Sequence, residues 1–138
     1  MNWLYWALLS ALFAGLTAVL AKVGVQDIDS NLATAIRTTV ILAFAWLIAL
    51  LRNTQPLHSI SGKTWLFLGL SGLATGASWL CYFRALQLGE ASRVAPIDKL
   101  SVVVAMVLAV VFLHEQLAWQ HWIGGALIVT GAILLAVG

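Results

Sequence analysis

The sequence predicts an all-α membrane protein of five transmembrane helices, and three observations predict it. Hydrophobic residues make up 62% of the 138-residue chain and charged residues only 9%, against about 25% charged in soluble domains. Five apolar stretches fill almost the whole length. Two of them, Trp3–Ala21 and Thr64–Phe83, hold no charge, and each approaches the ~20 residues that cross a ~30 Å hydrocarbon core at ~1.5 Å per residue. A soluble bundle is excluded by supply, because too little polar chain remains to cover five such helices.

Charge and cysteine usage remove other classes. The net charge is +2 and the basic residues stand singly at 22, 37, 52, 63, 84, 93 and 99, so no nucleic-acid patch exists. A lone cysteine, Cys81, excludes an intramolecular disulfide and a cysteine-based metal cluster. His58, His114 and His121 fall at expected loops and ends, with no His-Glu-x-x-His or Cys-x-x-Cys spacing. Neither an enzyme site nor a metal or other cofactor is expected.

The whole chain, 1–138, reads as one domain, with helices at about 3–23, 32–51, 64–85, 93–113 and 121–138. Segment one lacks a basic leader, and its apolar run exceeds the ~7–15 residues of a signal core, so it reads as a retained helix. The loop Gln26–Asn31 precedes segment two, with Ser30 or Asn31 as its expected N-cap. The residues Arg52 to Lys63 form the longest polar connection. A short turn, Gln87–Ser92, makes segments three and four antiparallel neighbours.

Segment four is the weakest span. Its uncharged part, Leu100–Leu113, has 14 residues, a length that also suits a buried or re-entrant helix. Its Leu, Val and Phe residues favour insertion by roughly −3 to −6 kcal/mol, whereas Asp98 and Lys99 at the midplane oppose it by about +5 to +7 kcal/mol. Those charges therefore belong near an interface or in a watered cavity. Pro96 reads as a first-turn residue that starts the helix without a kink. Asp98 and Lys99, ~100° apart on a helix, are poorly placed to pair.

Trp3, Trp6, Trp65, Trp119 and Trp122 lie near helix ends, as interfacial anchors do, while Trp46 and Trp79 lie deeper. Gly124, Gly125 and Gly131 give segment five a small-residue surface suited to close helix contact in lipid.

An odd number of spans leaves the chain ends on opposite sides. Arg52 and Lys63 fall on the amino-terminal side; Lys22, Arg37, Arg84 and Arg93 fall on the other, with Lys99 if it snorkels. The full count favours an external amino terminus, but counting loop-edge residues alone gives two against two. So weak a bias fits either insertion in both directions or one orientation set by other determinants. A small chain of this kind invites pairing with an inverted copy, because alternating access commonly uses two inverted halves around a midplane site.

Candidate site residues come from polar positions at helical spacing. Ser71, Thr75, Ser78 and Tyr82 form one face of segment three, and Asn31, Thr34 and Thr38 line segment two beside Arg37. Segment one carries Ser10, Ala14, Thr17, Ala21 and Gly24. Such faces serve either a cavity wall or helix packing with hydroxyls bonded one turn back. Intramembrane charges usually face a pathway, which marks Arg37 and Lys99 for an anionic group and Asp98 for proton coupling. The alternative for residues 98 and 99 is snorkelling to headgroups.

The second half carries a resemblance: Tyr82-Phe-Arg-Ala-Leu-Gln-Leu-Gly-Glu-Ala-Ser-Arg-Val-Ala-Pro96, Phe112-Leu-His-Glu115-Gln-Leu, and Trp122-Ile-Gly124-Gly-Ala-Leu-Ile-Val-Thr-Gly131. In these segments, and in Lys22 and Arg37, the chain resembles the EamA domain of the drug/metabolite transporter superfamily in its single-copy, five-helix form. The resemblance implies one half of an inverted-repeat transporter in the cell inner (plasma) membrane. It further implies export of a metabolite, amino acid or drug by a dimer, with helices one to four lining the cavity and helix five making dimer contacts. The expected substrate-binding set is Arg37, Ser78, Trp79, Tyr82 and Lys99. Expected partners are membrane lipid, a small-molecule substrate, and either an antiparallel second copy or a paired homologue. In size and in its terminal helix the chain also resembles the small multidrug resistance branch, but helix one has no glutamate, which argues against that branch's proton-coupled efflux of lipophilic cations. A non-transporting membrane subunit and a water-filled channel are the rival readings.

Overall fold

A computed structural model describes residues 3–52 and 54–138; Asn53, in the long connection, lies outside them. Their order is α1 (Trp3–Gly24), α2 (Ser30–Leu51), a 3-10 turn (Leu57–Ser59), α3 (Gly62–Leu88), α4 (Ala91–Asp98), α5 (Ser101–Leu113) and α6 (Trp119–Val137). Among the described residues all regular structure is helical. Five spans are long and apolar enough to cross a bilayer, with α4 and α5 together forming the fourth, Ala91–Leu113. Their large side chains face outward: Leu12 is 68% exposed, Leu73 73% and Leu127 68%. At about 1.5–3 kcal/mol per large apolar side chain kept out of water, such a surface requires lipid or a partner.

Two helices, α2 and α3, begin earlier than the apolar pattern suggests because polar residues cap them. Asp29, not Ser30 or Asn31, is the N-cap of α2: its Oδ1 accepts from the backbone N–H of Asn31 (2.9 Å) and Leu32 (3.2 Å). A carboxylate there also complements the helix dipole. Ser61 Oγ likewise accepts from the N–H of Thr64 at 3.2 Å, which carries α3 back to Gly62.

Segment four departs most from expectation. It begins at Ala91, so Pro96 stands inside α4 rather than in its first turn. The proline ring removes one donor from the helical ladder. Beyond it the bonds tighten to the i+3 kind, Lys99 N–H to Pro96 O (3.1 Å) and Leu100 N–H to Ile97 O (3.0 Å). Regular helix resumes at Ser101. A 3-10 stretch inside a span marks a hinge or a strained sequence, and here it separates the charged end of the segment from its apolar run.

The chain divides into two compact units, Gly24–Gln87 and Met1–Val23 with Leu88–Gly138. In the first, α2 and α3 are joined to the Val25–Asp29 turn through Gln87. Its Nε2 donates to the carbonyls of Val25 (3.0 Å) and Ile28 (2.7 Å), while its Oε1 accepts from Arg84 Nη1 (3.0 Å). In the second, Lys22 Nζ donates to Gly89 O at 2.8 Å, tying the end of α1 to the turn before α4. There α4 and α5 both pack on α6, and Arg93 Nη2 reaches Gly138 O at 3.4 Å. Gly125 is buried, and a Cβ at that position would lie 3.4 Å from the Met106 side chain and 3.8 Å from Val103. These are ordinary van der Waals distances, so a methyl group fits against α5 there and a larger side chain does not. A Cβ at Gly124 or Gly131 would meet nothing within 4 Å.

Candidate functional site

The Gly24–Gln87 unit brings together two of the residues singled out from the sequence. Arg37 projects from the second turn of α2, and Trp79 and Phe83, four apart, share one face of α3. The Arg37 guanidinium carbon lies 4.4 Å from the Trp79 ring centroid and 5.3 Å from that of Phe83. Each distance is within cation–π range, an attraction of about 0.5–2 kcal/mol that grows as water is excluded. Tyr82 meets Phe83 edge-on, with centroids 6.5 Å apart at 88°. Phe83 is buried while Arg37, Trp79 and Tyr82 are half-buried.

Besides the two rings, Arg37 has Tyr82 as an electrostatic neighbour, and no carboxylate of its unit pairs with it. The carboxylates there are Asp27 and Asp29, and neither forms an ion pair with it. Asp29 is engaged in capping α2. No N–H of the guanidinium donates to another described residue, although Arg37 stands about 10 Å inside the span from Ser30 at ~1.5 Å per residue. Ring faces balance the charge without occupying any of the five directional donors.

The polar faces behave differently from the aromatic one. Thr34 and Thr38 donate to the carbonyls of Ser30 (2.8 Å) and Thr34 (2.7 Å), and Thr75 donates to Ser71 O at 2.9 Å. These are the one-turn-back bonds of the packing reading. Ser71, Thr75 and Ser78 are exposed, so Arg37 rests on the neighbouring aromatic face of α3 rather than on the polar stripe. An open depression of about 500 Å³ in the same unit is lined by Asp29, Ser30, Asn31, Leu80, Cys81 and Arg84, and by none of Arg37, Trp79, Tyr82 or Phe83.

Asp98 and Lys99 belong to the other unit. Contrary to the ~100° argument, they pair, Lys99 Nζ to Asp98 Oδ2 at 3.3 Å. The angular spacing does not prevent the pair, because the flexible four-carbon stem of lysine can fold back to its neighbour. The pair stands at the break in the fourth span.

Two site residues were absent from the sequence reading. Phe83 follows Trp79 by one helical turn, so aromatic spacing carried its signal. Gln87 carried none, because its partners are carbonyls more than fifty residues away.

Known proteins bear on this arrangement. A Sinorhizobium sp protein described as an uncharacterized transporter in the cobO 3' region is 59% identical over 137 residues, covering 99% of this chain and 97% of the relative. A probable 4-amino-4-deoxy-L-arabinose-phosphoundecaprenol flippase subunit, ArnE, from Aeromonas salmonicida (strain A449), is 31% identical over 65 residues, 47% of this chain and 57% of the relative. No solved structure gives a significant match. The EamA-like transporter family is matched over residues 1–137, and with five spans and a transporter-named relative along its length, this multi-pass membrane protein belongs to that family.

Proposed function

We propose that the protein exports a small metabolite by alternating access, as a dimer of five-helix subunits in the cell inner membrane. The observation that carries this reading is Arg37, a cation set inside a span against Trp79 and Phe83 with no carboxylate paired to it in its unit. Intramembrane charge is expensive and marks pathways. Ser78 and Tyr82 flank Trp79 on α3 and contribute to the same substrate surface. The odd number of spans supports pairing with an inverted partner, because each chain then supplies one half of a transporter. Outward direction rests on the resemblance drawn from the sequence.

Asp98 and Lys99 have a separate role at the break in the fourth span: their ion pair opens and closes as the hinge moves, with Asp98 taking the coupling proton. Both side chains are partly exposed, so the pair adds little to stability, about 0–1 kcal/mol. Asp98→Asn and Lys99→Ala should therefore reduce flux while leaving membrane insertion intact. Unchanged transport in both would remove them from the mechanism.

The deciding measurement uses vesicles containing only this protein and a panel of labelled amino acids and organic acids. Saturable uptake with counterflow supports the carrier. A linear, unsaturable flux would mean a channel, and no flux would mean a non-transporting subunit. A second reading is favoured by the likeness to a flippase subunit: the partner is a homologous chain rather than an identical one. Flux that appears only when a second family member is co-reconstituted would establish it.

A further inference from the structure

Resting on the carrier reading, the geometry points to the class of cargo: we infer that Arg37 binds a single oxyanion, a carboxylate or phosphate, through its free N–H fork while Trp79 and Phe83 hold the guanidinium. Three observations carry it. The ring contacts at 4.4 and 5.3 Å satisfy the charge without accepting a directional hydrogen bond. The hydroxyls nearest in sequence, Thr38, Thr39 and Thr34, each donate to a backbone carbonyl one turn back, and none accepts from the guanidinium. The unit's carboxylates lie at the turn before α2, with Asp29 committed to its cap. Five donors thus remain at a half-buried position inside the span.

A planar fork of this kind matches carboxylate and phosphate geometry bidentately, which a lysine ammonium does not. A cationic cargo is disfavoured by the same charge. The cargo class is therefore anionic, and the lone guanidinium suits one anionic group rather than two. A lipid headgroup phosphate has the same chemistry, since an arginine side chain leans toward the amino-terminal end of its helix and so toward the interface. The experiment must separate the two sources.

Protein labelled with 15N-arginine in maltoside micelles, which carry neither phosphate nor carboxylate, has four arginines, at 37, 52, 84 and 93. The Nε–H resonance missing from the Arg37→Lys protein is that of Arg37; Arg37→Gln serves if the lysine variant does not fold. Phenylphosphate, inorganic phosphate and phenyltrimethylammonium are titrated separately, with and without phosphatidylglycerol. The expected result is a saturable displacement of the Arg37 resonance by phenylphosphate, none by the cation, and persistence of the effect in the presence of lipid. Trp79→Leu should weaken the response roughly threefold to tenfold. No saturable movement, or all four resonances moving together, overturns the assignment. Saturation by phosphatidylglycerol alone overturns it in favour of a lipid contact. Binding in micelles requires no transport: binding without flux sinks only the carrier, and flux without an Arg37 response sinks only the cargo class.

Discussion

Arg37 and Gln87 show how single side chains solve opposite problems in an apolar chain. Arg37 holds its charge against ring faces and keeps its donors available. Gln87 uses its amide fully, donating twice to loop carbonyls and accepting once from Arg84. Each neutral hydrogen bond of this kind adds about 0.5–1.5 kcal/mol, and leaving buried carbonyls unmet costs more. Gln87→Leu should lower the thermal midpoint in detergent by a few degrees, roughly 2–4 °C per kcal/mol for a chain of this size; an unchanged midpoint would show the clamp to be incidental. His114 poses the reverse case, as a non-glycine residue at φ 55° that ends α5 in the left-handed region. That conformation costs an L-residue about 1 kcal/mol, so His114→Gly should stabilise the protein by up to that amount in a denaturation series.

At the scale of elements, the spans are set by apolar length but their ends are set by caps and breaks. Asp29 and Ser61 start α2 and α3 ahead of their apolar runs. The fourth span is interrupted after Pro96, so its charged end and its apolar run are separate helices. Where α5 packs on α6, a Cβ added at Gly125 would lie in ordinary van der Waals contact with the Met106 side chain. Gly125→Ala should change stability little, because methionine is flexible enough to yield. Gly125→Leu overpacks the contact and should cost about 1–3 kcal/mol, read as a lower unfolding midpoint without loss of helix content by circular dichroism.

For the whole molecule, orientation and partnership have separate readouts. With Cys81, exposed on α3, replaced by serine, single cysteines in the 52–63 connection are labelled from each face of intact cells. Dual insertion predicts labelling from both faces; labelling from one face rejects it. Gly131 is open within one subunit, with nothing within 4 Å of an added Cβ. If α6 forms the dimer contact, Gly131→Leu should shift the protein toward monomer by crosslinking while leaving the subunit folded. An unaltered dimer would place the contact elsewhere.

The sequence by itself determined the class and the spans, because length and apolarity are one-dimensional properties: uncharged runs such as Trp3–Ala21 and Thr64–Phe83 can only be satisfied by helices in lipid. It also marked Arg37 and Trp79, since a charge or a deep tryptophan inside a span is conspicuous without coordinates. Which surface Arg37 meets was decided only by tertiary structure. The polar stripe and the aromatic stripe of α3 are adjacent on one helix, and their periodicities do not say which of them turns toward α2. The Asp98–Lys99 pair was misjudged because angular spacing alone ignores the reach of the flexible lysine stem, which brings its ammonium back to Asp98. Gln87 lay beyond sequence reading altogether, because a side-chain amide that closes a distant turn leaves no periodic trace.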